Sequence, residues 1–182
     1  MLTRLTIVLV AVLAAGCGDR SSETPDARNA ATAAQEVQPR VLVSRTPVRP
    51  YPDAVTVRLF VQGGRNADGG ARFVEPAGRL LTDGQRRSIE ATVSNASYTG
   101  NNDTAACFIP HHFVRYYDAA GAQVGEIAIC FCCAGVSASP DVLGPKAAGA
   151  EYNLLEFDFD ALKAIIQGMG LRTDFDCEPD EG

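Results

Sequence analysis

The chain concentrates cysteine around a pair of adjacent histidines. It contains six cysteines and two histidines among 182 residues. Five of the cysteines lie in the C-terminal half, and the histidine pair lies there too, in the order Cys107, His111, His112, Cys130, Cys132, Cys133 and Cys177. Cysteine thiolates form disulfides and attack electrophilic sulfur, and both thiolates and imidazoles bind metal ions. The sequence therefore indicates a disulfide staple, a metal site or thiol exchange.

A hairpin is predicted to bring two of these cysteines together. Strand-like stretches at residues 107–117 and 123–133 are joined by Asp-Ala-Ala-Gly, which is typical of a hairpin turn. If Asp118 closes that turn, Cys107 lies opposite Cys133, at the Cβ separation that a disulfide needs. Disulfides are the default state of cysteines in an exported chain.

The remaining cysteines leave the pairing open. A slip of one residue would move the contact toward Cys132. In an extended strand the Cα atoms of Cys130 and Cys133 would lie about 10 Å apart, so a bond between them requires a turn. Cys177 follows the last predicted helix and could reach either strand. The disulfide candidates are Cys107, Cys130, Cys133 and Cys177, and an odd set of five leaves at least one thiol unpaired.

A metal site is the second interpretation of the same cluster. Cys130 and Cys133 have ligand-like spacing, and His111 or His112 would lie across the hairpin near Cys130. Adding Cys107 gives a set of Cys107, His112, Cys130 and Cys133, which would suit tetrahedral zinc or copper(I). One Cys-x-x-Cys without a second pair is a weak motif, and an oxidising compartment competes for the thiolates.

Enzymatic signatures are sparse. Thioredoxin-type sites place the first cysteine at a helix N-terminus, whereas here residues 134–140 that follow the motif are poor helix formers. The sequence contains no Gly-x-Ser-x-Gly elbow, phosphate loop or calcium loop. We therefore assign no catalytic or cofactor-binding residue. We expect a non-enzymatic binding or structural protein, with metal binding or thiol redox chemistry as the alternative.

The N-terminal residues predict export and lipidation. Arg4 precedes an uncharged run, residues 5–15, which is too short to span a bilayer. The segment that ends in Ala15-Gly16-Cys17 resembles the lipobox of bacterial lipoproteins. This resemblance implies a signal peptide over residues 1–16 and a lipid on Cys17 that anchors the protein to a membrane. Gly18 directly after that cysteine favours the outer membrane.

A tether and one domain are predicted after the anchor. Residues 17–40 lack a large apolar cluster and suit a flexible tether. Residues 41–172 read as one α+β domain, and residues 173–182 as an acidic tail. The formal net charge of -6 argues against nucleic-acid binding, which needs clustered basic residues.

The elements of that domain are predicted to form a small antiparallel sheet that contains a Cys-bearing β-hairpin. About two helices are expected to pack against this sheet. Alternating apolar residues predict a strand at 54–61, and a glycine-rich loop follows at 63–78. Thr82-x-x-Gln85 is a capping box for a helix that reaches Val93, after which residues 94–102 read as turns. A further strand is predicted at 151–157 and a last helix after Asp158 or Asp160.

The cysteine region also resembles a group of uncharacterised exported bacterial proteins. Their pattern is roughly Cys-x-x-Pro-x-His, then an aromatic-Tyr-Asp turn, then Ile-x-Ile-Cys-Phe-x-Cys. Here it matches Cys107, His112, Cys130 and Cys133, and Cys132 is an addition to it. The resemblance covers roughly residues 80–171. It supports the fold and implies no particular activity.

Overall fold

This computed structural model describes residues 38–103 and 107–175 of the chain. These residues contain nine strands and two helices. They are β1 (Val41–Pro47), β2 (Thr56–Arg65), β3 (Ala71–Phe73), β4 (Arg79–Leu80), α1 (Asp83–Glu90), β5 (Val93–Thr99), β6 (His112–Tyr117), β7 (Gln123–Cys130), β8 (Gly135–Ser139), β9 (Tyr152–Phe157) and α2 (Phe159–Gly168). The architecture is mostly antiparallel sheet with two helices. The predicted signal peptide, lipobox, Cys17, most of the tether and Cys177 lie outside the described residues.

A larger sheet has the strand order β3-β2-β6-β7-β8, and β4 pairs with β2 beside this path. In β2, Val57, Leu59 and Val61 are buried, as the predicted alternation requires, but Phe60 on the opposite face is buried too. Val55 is 62% exposed and precedes the strand. The strands β3 and β4 occupy parts of residues 63–78 and their flank, where the glycine content predicted only a loop.

A smaller sheet has the order β1-β5-β9 and contains two strands that the sequence did not predict. The predicted helix does not reach Val93, because α1 ends at Glu90 and Val93 begins β5. The composition of residues 94–102 predicts turns, but Asn95 and Ser97 are buried in β5. Their polar side chains bond to the backbone of the loop before β9, at Pro145 and Ala147. Tertiary contacts therefore override weak strand propensity here.

Both helices begin with the caps that the sequence predicts. Thr82 accepts from the backbone N–H of Gln85, whose side chain returns a bond to the Thr82 backbone, so the capping box is confirmed. Asp158 caps α2 by accepting from Ala161. Ile89 of α1 and Leu162 and Ile166 of α2 join one hydrophobic cluster with residues of the larger sheet. Leu162 and Ile166 thus form a buried apolar stripe on α2, whereas α1 buries Ile89 alone, because Val93 of its predicted stripe belongs to β5.

Candidate functional site

The β6–β7 hairpin contains a bulge that changes which residues face each other. Tyr117 pairs with Gln123, but Tyr116 pairs with Gly125, so Val124 is an extra residue in β7. The predicted pairing of Cys107 with Cys133 across the hairpin is therefore wrong. Both cysteines lie beyond the paired strands, since β6 begins at His112 and β7 ends at Cys130.

A turn after β7 nevertheless brings thiols together. Residues 131–134 form this turn, and Ala134 has a positive φ of 48°. The thiol of Cys133 is thereby folded back to within 2.9 Å of the sulfur of Cys130. The sulfur–sulfur bond of a disulfide is about 2.05 Å long, so these two sulfur atoms need to approach by less than about 1 Å to form one. This is the turn that a bond between Cys130 and Cys133 requires.

Cys107 is the third member of this thiol cluster, which we define as Cys107, Cys130 and Cys133. All three carry free thiols. Cys107 lies close enough to Cys133 to affect the pKa of that thiol. Cys107 is exposed and Cys133 half-buried, whereas Cys130 is only 1% exposed. A reagent that enters from solvent therefore meets Cys107 and Cys133 before Cys130.

The two neighbouring thiols have opposite acidities. Burial would raise the pKa of Cys130, but hydrogen bonds from the Cys133 side chain and from backbone groups of Cys133 and Ile109 lower it below its ordinary value. Burial, followed by the hydrogen bonds with Cys130 and Cys107, raises the pKa of Cys133 to about 12. Of the pair, Cys130 is the sulfur that carries negative charge more readily.

Cys132 lies apart from this cluster and faces the C-terminal segment. Its sulfur lies 3.6 Å from the carbonyl oxygen of Phe175. The ring of Phe175 stacks on His111 with centroids 4.6 Å apart and meets His112 edge-on. The segment after α2 is thus packed against the start of β6 and the turn after β7.

His112 is a core residue. Its ring is fully buried, its Nε2 lies 2.8 Å from the carbonyl oxygen of Arg172, and Phe131 packs edge-on against it. Within the described residues, its Nδ1 has no hydrogen-bond partner. Burial is the main reason that the pKa of His112 falls to about 4, and the nearby His111 lowers it further.

The structure does not bring His112 to the thiols. His112 pairs with Ile129, so the two side chains share a face of the sheet, and Cys130 points to the other face. Among residues 38–103 and 107–175, no three His, Cys, Asp or Glu side chains are arranged to hold a metal ion. Cys130 and Cys133 come together without the histidine.

A groove of about 580 Å³ opens beside the thiol cluster. Cys107 and Cys133 line it, together with Gly135 and Val136 of β8 and the consecutive residues 154–157 of β9. Neighbouring side chains of a strand point to opposite faces, so four consecutive lining residues mean that β9 presents its edge to the groove. No sequence pattern indicated this groove, because β8 falls in a stretch that reads as loop and the two sheets meet only in the folded chain.

Comparison of the chain with protein-family models, with curated proteins and with solved structures finds no significant match. Within the described ranges, no helix has the length and apolar character needed to cross a membrane.

Proposed function

We propose that this protein is a lipid-anchored component of the bacterial envelope whose folded domain carries an exchangeable dithiol, Cys130 and Cys133. The observation that carries the proposal is the 2.9 Å separation of their sulfur atoms on a turn that borders an open groove. Exported proteins occupy an oxidising compartment, where two thiols this close form a disulfide readily.

The oxidation of this pair needs an acceptor of two electrons and two protons. A low-molecular-weight disulfide in the envelope would supply it: one of its sulfurs forms a mixed disulfide with Cys130 or Cys133 and releases a first thiol. The other cysteine then attacks the mixed disulfide, which closes the Cys130–Cys133 bond and releases a second thiol. The dithiol is oxidised and the small disulfide is reduced to two thiols.

Accessibility and acidity give the two cysteines different parts in the reverse reaction. An incoming thiolate reaches Cys133 because that residue lines the groove, whereas Cys130 is buried. Attack on the sulfur of Cys133 releases Cys130 as a thiolate, and a thiol with a lowered pKa is the better leaving group. This division of labour favours exchange chemistry over a permanent structural staple.

The anchor is proposed from the N-terminal sequence. The lipobox-like segment ending in Cys17 supports lipidation, and Gly18 after it supports the outer membrane, reached through the tether of residues 17–40. The membrane is therefore the one partner that we propose for this part of the chain. A Cys17→Ser variant should lose both labelled palmitate and its place in the membrane fraction. Retention of both in the variant would refute the anchor.

A redox titration of the full chain tests the dithiol. The protein is equilibrated in buffers of reduced and oxidised dithiothreitol, alkylated, and digested for mass spectrometry of the peptides that contain Cys130 and Cys133. We expect a two-electron transition with a midpoint above about −300 mV, the region of labile disulfides. Cys107→Ser should keep this transition, and Cys130→Ser should abolish it.

Two results would overturn exchange. A midpoint below about −300 mV would make the bond a structural staple, as the sequence first suggested. No Cys130–Cys133 bond at any potential would remove the dithiol altogether.

A further inference from the structure

We propose that the groove beside the thiol cluster binds an extended polypeptide segment that presents a reduced cysteine to Cys133. This inference rests on the exchangeable dithiol proposed above and names its substrate class. The groove places three features together: the edge of β9, a lining in which apolar side chains alternate with the charged Arg40, Asp103 and Glu156, and the thiols of Cys107 and Cys133.

The edge of β9 supplies the recognition of extended backbone. β9 is the last strand of the smaller sheet and β8 the last strand of the larger one, so no strand of the described residues pairs with the far edge of either. A strand edge offers a row of backbone donors and acceptors that an extended peptide satisfies by adding a strand. Residues 154–157, which belong to this end strand, line the groove.

The lining supplies contacts for alternate side chains of that peptide. Phe108, which is 41% exposed, and Leu154 of β9 both line the groove. Alternate residues of an extended peptide point to one side, so a cysteine flanked by apolar residues two positions away would place its thiol and its apolar side chains on the same face. A small thiol cannot use these contacts.

The chemistry at Cys133 is a thiol–disulfide exchange. The peptide thiolate attacks the sulfur of Cys133 in the Cys130–Cys133 bond, a peptide–Cys133 bond forms, and Cys130 leaves as a thiolate. A second cysteine of the same peptide then attacks the peptide sulfur, which gives a peptide disulfide and returns Cys133 as a thiol. The small disulfide named above reoxidises the pair.

The test isolates the first step in a full-length chain with Cys107→Ser and Cys130→Ser, which leaves Cys133 without a competing thiol in the cluster. Cys133 is loaded as a mixed disulfide with a chromogenic thiol, and release of the chromophore is timed. The probes are a short capped peptide of alternating valine and threonine around one cysteine, and N-acetylcysteine amide. The same peptide with serine in place of cysteine serves as a competitor.

We expect the peptide to release the chromophore at least about tenfold faster than the small thiol, because bound thiolate has a high effective concentration. The serine peptide should slow that reaction. Leu154→Arg should remove most of the advantage, and Phe108→Ala, which alters a partly exposed side chain, should reduce it without a threat to folding. Val55→Arg, at an exposed position outside the groove, should leave it intact.

The possible failures are distinguishable. Equal rates for peptide and small thiol, unchanged by Leu154→Arg and Phe108→Ala, would overturn the peptide groove and leave the exchangeable dithiol standing. Release by neither thiol would overturn both proposals, because Cys133 would then take no part in exchange.

Discussion

The imidazole of His112 and the thiol of Cys130 lie on opposite faces of one sheet, although their residues are neighbours across the β6–β7 hairpin. His112 pairs with Ile129, and the next residue of β7, Cys130, points the other way. His112 therefore contributes to the core, while Cys130 lies beneath Cys133, which lines the surface groove. The pH response of folding and the reactivity of sulfur should be separable by mutation.

Folding should weaken in acid because of His112. Burial, the largest cause, lowers the pKa of His112 from 6.5 to about 4, so between these values the unfolded chain binds a proton that the folded chain does not. The contribution of His112 to stability is complete above pH 6.5 and is lost as the pH falls toward and through 4. It amounts to about 3 kcal/mol. Urea unfolding at a series of pH values measures it.

Replacement of the histidine should flatten this dependence. His112→Gln should lose stability at pH 7, because the packing and the bond to Arg172 change, but should show a shallower decline from pH 6.5 to 4. His111→Gln is the control: His111 is not among the buried residues and adds only a smaller lowering of the His112 pKa than burial does, so this variant should keep most of the decline. If His112→Gln declines as steeply as the wild type, other acidic transitions dominate and the assignment to His112 fails.

The acidity of Cys130 should depend on Cys133. Burial raises the pKa of Cys130, and the donor bond from the Cys133 thiol is the first interaction that opposes it. Cys133→Ala removes that donor, so the pKa of Cys130 should rise. Ultraviolet absorbance of the thiolate, titrated in a chain that also has Cys107→Ser, reports the change. Cys107→Ser alone serves as the control, and an unchanged Cys130 transition in Cys133→Ala would contradict the contact.

Local signals in the sequence were sufficient for the helix starts and for the regular strands. The capping box at Thr82 and the inward-facing apolar residues of β2 depend on neighbours a few residues away, and both are confirmed. The same local signals did not predict β5, because its Asn95 and Ser97 are stabilised by backbone groups about 50 residues distant in sequence. Long-range contacts of this kind leave no periodic pattern in the strand itself.

The thiol site was predictable as a group of residues but not as a geometry. Spacing indicated Cys107, Cys130 and Cys133 as partners; the structure places the sulfurs of Cys130 and Cys133 in contact, and Cys107 and Cys133 line one groove. The single extra residue, Val124, moved every pairing beyond it by one position, which sequence reasoning could not foresee. The groove depends on two sheets that meet through β8 and β9, so it has no local signature.

Cys132 should form a disulfide with Cys177. The sulfur of Cys132 lies 3.6 Å from the carbonyl oxygen of Phe175, and the two peptide units that follow Phe175 span at most about 7 Å. The other three cysteines of the domain belong to the thiol cluster, which leaves Cys177 as the partner for Cys132. Digestion of the unreduced protein should yield a linked peptide pair that contains Cys132 and Cys177 and is lost in Cys177→Ser. A link from Cys177 to Cys107 or Cys130 instead would contradict this pairing.

The bulge in β7 should tolerate no side chain at Gly125. A Cβ placed there would lie 2.3 Å from ring atoms of Tyr51. That ring cannot move aside easily, since its hydroxyl donates to the carbonyl of Pro140 and its face packs on Tyr116 at 4.9 Å. Gly125→Ala should therefore lower the free energy of unfolding by about 2–3 kcal/mol, as overpacking does.

The control is Gly168→Ala in α2, where a new Cβ meets nothing within 4 Å. That substitution should raise stability by about 0.5–1 kcal/mol through helix propensity. Urea unfolding of both variants at neutral pH measures the difference, and equal stabilities would show that Tyr51 does not confine Gly125.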